Sequence, residues 1–201
     1  MSAAPSRYHV PPSQMKGTTA MRFITSTQRK AITEFLNQMR DTAQGNFERD
    51  GLCEPVAILM REGGNSVLPL GKIINHKDLT SAILNRIIEE AHPLAFVLVT
   101  EAWMAIVTKD AQTGDVVDDL EKKYKGHLTE PTSGGKEKPK AGVKEVVMLQ
   151  CSSVAGDNFM LTADIVRNKG IKPVLKAWVR MENKGAEGRF VFDVTPLVER
   201  Q

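Results

Sequence analysis

Glu101 stands inside the most apolar run of the chain, AFVLVTEAWMAIV (95–107), two residues before Trp103. A carboxylate in that setting has three uses. Withdrawn from water, its pKa rises until it can exchange a proton near neutrality as a general acid or base. It can line a pocket or a partner surface beside the indole. It can also be a structural acid that fixes strand register by holding an arginine or a backbone amide. A lone buried carboxylate is costly, so each use requires a partner. Arg167, at the end of ADIVR, is the leading candidate, with Lys176 and Arg180 behind it, while Asp164 falls on the strand face opposite to Arg167. Trp178 and Arg180 alternate onto one face of VLKAWVRM. If that face met the one bearing Glu101 and Trp103, two tryptophans, a carboxylate and basic groups would share one place. Glu101, Trp103, Arg167, Trp178 and Arg180 are therefore the candidate binding residues, and no catalytic residue is assigned.

Other chemistry leaves no trace in the residue pattern. There is no Gly-x-x-x-x-Gly-Lys-Ser/Thr loop, no Gly-x-Gly-x-x-Gly and no Gly-x-Ser-x-Gly. The histidines, His9, His76, His92 and His127, make neither His-x-His nor His-Glu-x-x-His, so neither a metal nor a cofactor is expected. Cys53 and Cys151 lie far apart and form no Cys-x-x-Cys pair. Free, packed thiols in a reducing compartment are the expectation, with one long-range disulfide as the alternative. The formal net charge of +3 is too small for a nucleic-acid surface, and Glu137 interrupts the weak basic cluster KEKPK (136–140). No apolar run is long enough to span a membrane, and the first residues lack the apolar core of a secretory signal. A cytoplasmic protein is the default expectation.

The elements that must position Glu101 follow from periodicity. Residues 1–24, rich in proline, serine and small side chains, read as a disordered N-terminal arm. Ala31, Ile32, Phe35, Leu36, Met39 and Ala43 form one face of a helix capped by Ser26 or Thr27 and stopped near Gly45. EPVAILMRE and NSVLPLG flank Gly63-Gly64 as a hairpin, with Pro69 marking an edge. A second helix over NHKDLTSAILNRIIEEA closes at Pro93. The run holding Glu101 is a long central strand, apolar on both faces. Residues 108–143 read as a flexible insertion, either a functional flap or a dispensable loop. KEVVMLQCSSV, NFMLTADIVRN, KPVLKAWVRM and RFVFDV then give an antiparallel meander.

FVLVTEAWMAIV, KEVVMLQCSS and the later Gly-Arg-Phe resemble small uncharacterised bacterial and phage-type α+β proteins with a Glu-x-Trp strand. No activity is attached to that group, so the resemblance implies a fold and nothing functional. The helix–hairpin–helix–strand order is also similar to zinc-dependent deubiquitinase-like folds, but their essential His-x-His is missing here. The expectation is a single α+β domain over 25–201. Its mainly antiparallel sheet carries two helices on one face, in the order α-β-β-α-β-(loop)-β-β-β-β. The expected role is a non-enzymatic interaction or assembly protein that meets a protein partner or forms a homo-oligomer. An enzyme or small-ligand sensor with Glu101 in a Trp-lined pocket is the alternative.

Overall fold

The computed structural model describes residues 23–105, 129–131, 137–182, 194 and 198–199. The described chain opens with strand β1 (Phe23–Ile24), so the expected arm of 1–24 is too long by these two residues: Ile24 is buried and belongs to the core. Helix α1 (Ser26–Asp50) follows. Its cap is Thr25, one residue before the expected cap. Thr25 Oγ1 accepts from the Gln28 amide at 3.1 Å, and Gln28 Oε1 accepts from the Thr25 amide at 2.9 Å. Gly45 does not stop the helix. Phe47, fully buried, extends the apolar face, and the chain leaves the helix at Gly51, whose φ of 72° a side chain would resist.

Strands β2 (Val56–Arg61) and β3 (Gly64–Pro69) form the expected hairpin. Arg61 pairs with Gly64, so the tight turn is Glu62-Gly63, one residue earlier than the Gly63-Gly64 turn read from the sequence. A 3₁₀ turn (Gly71–Asn75) leads into helix α2 (Lys77–Ala91) and then strand β4 (Ala95–Ala105). Phe96, Val97 and Leu98 are all fully buried, so both faces of the first half of β4 are covered. Within the expected insertion, β5 (Thr129–Pro131) and β6 (Glu137–Pro139) pair antiparallel, and 106–128 and 132–136 lie outside the described residues. Strands β7 (Val143–Ser153), β8 (Asn158–Val166), β9 (Val174–Leu175), β10 (Val179–Glu182) and β11 (Val198–Glu199) complete the order.

The main sheet runs β10-β8-β7-β4-β2-β3, with every neighbour antiparallel and β9 joined to β8; β1 pairs separately, in parallel, with β11. This is an α+β fold. KPVLKAWVRM is not one uninterrupted strand. Ile165 faces Leu175 and Thr162 faces Val179, so Lys176, Ala177 and Trp178 oppose only Ala163 and Asp164. That extra residue is a bulge between β9 and β10. The expected last strand, RFVFDV, lies outside the described residues except for Val194, which is buried and donates its amide to Ser152 Oγ at 2.8 Å.

Candidate functional site

Alternation along β4 places Val97, Val99, Glu101 and Trp103 on one face, and the β4–β7 register sets them opposite Cys151, Leu149, Val147 and Glu145. The C-terminal half of α1 and the turn after it are fastened to this face. Glu101 Oε1 accepts the Cys53 amide at 2.7 Å, and Arg167, just past β8, donates to the Gly51 carbonyl at 3.3 Å. Trp178 Nε1 donates to Gln44 Oε1 at 3.1 Å.

Arg167 is the partner of Glu101, with Nη2 to Oε2 at 3.0 Å. The same guanidinium also grips Glu145 at both oxygens, at 2.7 and 2.8 Å. One cation therefore serves two carboxylates, and the fork-to-fork geometry favours Glu145. Burial pushes the Glu101 carboxyl above its ordinary value; the Cys53 amide and Arg167 pull the other way, and Glu145 adds repulsion. The Glu145 contact raises the Arg167 pKa further, so its charge is permanent.

Of the remaining expected residues, Trp103 borders this cluster on the same face, and Trp178 and Arg180 lie away from it. Trp103 is half-buried on β4 opposite Glu145. Arg180 stacks on the Phe159 ring, 3.8 Å from its centroid, and Trp178 sits at the bulge. They belong to the β10 end of the sheet, with β8 and β7 standing between them and β4, about 14 Å at ordinary strand spacing. Lys176 is also elsewhere: it and Lys144 hold Asp164 at 3.4 and 3.0 Å on the other face. Sequence reasoning missed Glu145, the Gly51 carbonyl and the Cys53 amide. Glu145 was findable only through the β4–β7 register, and two of the three groups are main-chain atoms that carry no residue-type signal.

An open cleft of about 290 Å³ borders Glu101, lined by Leu52–Pro55, Ile74, Asn75 and Thr100; neither tryptophan lines it. The Cys53 thiol at its wall is pushed up to about 12 by burial, then by Glu101 and Glu54, so it is protonated and a poor nucleophile. Among the described residues, no group of three or more His, Cys, Asp or Glu side chains could hold a metal ion.

The other feature of interest is β3, the last strand of the sheet among the described residues. Its sequence, GNSVLP, contains no charged residue, and Val67 is 59% exposed. The Leu70 amide donates to the Pro55 carbonyl at 3.0 Å, which fixes the pairing phase. Gly64, Ser66 and Leu68 turn their amides toward β2, and Asn65 and Val67 turn theirs outward. Pro69 occupies an outward position, where its missing N–H costs β2 nothing. Among the described residues no helix is long and apolar enough to cross a membrane. No family model, curated protein or solved structure matches the chain.

Proposed function

We propose that this is an interaction protein that works by strand addition at β3. The observation that carries the reading is the state of that edge. Sheet edges in monomeric proteins are usually guarded by charged side chains, bulges, prolines or short length. Among the described residues, β3 is six residues long, uncharged and guarded only by Pro69 at its far end, and it offers the outward amides of Asn65 and Val67 to an extended chain. The ionisable groups near β4 support the same reading: Glu101 is engaged at both oxygens and Arg167 at three nitrogens, which suits a fastening more than a reaction centre. The test is a photo-crosslinking amino acid at position 65, used in living cells. A discrete adduct that Val67→Pro abolishes is expected. Absence of any adduct overturns the reading.

The cleft beside Glu101 favours a second reading, a small-ligand site with Glu101 as its polar anchor. That reading requires Glu101→Gln to remove a ligand-induced rise in melting temperature while leaving the ligand-free melting temperature in place. A screen of small polar ligands that yields no rise with the unmodified protein rejects it.

A further inference from the structure

We infer that the β3 edge is covered by this chain's own residues 6–10, SRYHV, and that an arriving strand must displace them. The inference rests on the strand-addition reading and names what regulates that edge. Residues 1–22 lie outside the described residues and join them at Phe23. That point is close to the start of β3. Thr25 and Gln28 cap α1, and Gln28 Nε2 donates to Glu62 Oε1, in the β2–β3 turn, at 3.1 Å. Residues 11–22 separate Val10 from Phe23 and can span up to about 40 Å. Tethered in this way, the segment meets β3 at an effective concentration of about millimolar, which a free competitor has to match by concentration or affinity.

The sequence of the segment fits the edge. Pro5 and Pro11-Pro12 bound a run that holds neither proline nor glycine, and its Tyr8 and Val10 favour extended backbone. The β3 edge turns outward the amides and carbonyls of Asn65 and Val67 and the carbonyl of Pro69. An antiparallel strand with Tyr8 opposite Val67 meets all of them. Tyr8 and Val67 exchange a pair of hydrogen bonds, Val10 and Asn65 exchange another, and the Ser6 amide donates to the Pro69 carbonyl. No proline stands where an amide is needed. The Tyr8 ring then lies across the exposed Val67, a favourable pair of aromatic and β-branched side chains. The tether selects the direction. Antiparallel to β3, the run ends with Val10 beside Asn65, at the end of β3 near the start of α1. The parallel arrangement would carry Val10 to the Pro69 end, about 14 Å farther along the strand.

Photo-crosslinking from position 65 in the purified chain tests this. Trypsin digestion and mass spectrometry should find position 65 joined to the peptide YHVPPSQMK (8–16), in material of monomer mass and with a yield independent of protein concentration. Val10→Pro and Val67→Pro each remove one paired amide and should abolish the link, and far-ultraviolet circular dichroism confirms that each variant folds. Tyr8→Ile, which keeps a strand-favouring side chain opposite Val67, should retain it. In living cells, deletion of residues 2–17 should raise the yield of the partner adduct severalfold, because the edge loses its tethered competitor. Absence of a link to 8–16, or a link indifferent to Val10→Pro and Val67→Pro, overturns the inference; a partner adduct that persists then leaves strand addition standing. A link found only at twice the monomer mass, its yield rising with concentration, gives the edge to another copy and overturns the inference as well. So does an adduct yield that the deletion leaves unchanged. A link in the purified chain with no adduct in cells, even after the deletion, overturns the interaction reading and leaves residues 6–10 seated on β3.

Discussion

Arg167 holds two carboxylates, and the two are not equivalent. Glu145 takes the bidentate grip, while Glu101 receives one guanidinium nitrogen and one backbone amide. The Cys53 amide has the greater need, because Cys53 is buried and Glu101 is its acceptor. Glu101→Ala should therefore destabilise the protein by about 1–3 kcal/mol in urea unfolding, the cost of an orphaned buried donor. Glu101→Gln keeps an oxygen for that amide and leaves Arg167 with Glu145, so it should change stability by less than about 1 kcal/mol. The pH dependence has a definite sign. The folded-state pKa of Glu101 is raised, so above it the ionised group opposes folding, and the penalty is relieved as pH falls through that value toward the unfolded one. Relative to Glu101→Gln, the unmodified protein should gain stability as the solution is acidified across that window. Asp164 behaves oppositely. Hydrogen bonds from Lys144, above all, hold its carboxyl below the ordinary value, so its contribution is present above the unfolded pKa and is lost as pH falls through the folded one. Urea midpoints measured against pH for Glu101→Gln and Asp164→Asn should diverge from the unmodified protein in opposite directions.

Helix α1 shows how an element can override a local signal. Gly45 is exposed within the helix, and a Cβ built there meets nothing within 4 Å. Gly45→Ala should stabilise the protein by about 0.5–1 kcal/mol, read as a higher melting temperature, because alanine loses less backbone freedom on folding. Gly51→Ala should do the reverse: its φ is +72°, and Pro173 Cδ already lies 3.4 Å from the added carbon. The sequence could not rank these glycines, since both follow apolar periodicity and only the burial of Phe47 shows that the helix continues. β4 was legible for the opposite reason: a long β-branched and aromatic run, apolar on both faces, fits only a strand with cover on each side. Arg167 could be named as the partner of Glu101 because few cations lie at strand ends. The grouping of Trp178 and Arg180 with them failed because side-chain alternation gives a face and says nothing of which strand lies beside which, and the bulge at 176–178 breaks the alternation itself.

At the scale of the whole molecule, the two thiols report different depths of opening. Cys151 is fully buried on β7, between β4 and β8 and under the face that α1 fastens. Reaching it requires the sheet and helix to separate, which is close to global unfolding. Cys53 is also buried, but it lies in the connection between α1 and β2, at the wall of the cleft, and its amide is held by Glu101. Detaching that connection exposes it while the sheet stays paired. Burial raises both thiols to about 12, so neither reacts while folded and labelling follows the population of the opened state. Iodoacetamide labelling followed by mass spectrometry should therefore modify Cys53 before Cys151 in the absence of denaturant. Glu101→Ala should speed Cys53 labelling more than Cys151 labelling, since it frees the local connection as well as lowering global stability. Gly45→Ala should slow Cys151. Equal rates at both thiols in every variant would mean that the fold opens only as one unit, and that the Glu101–Cys53 bond governs no separate motion.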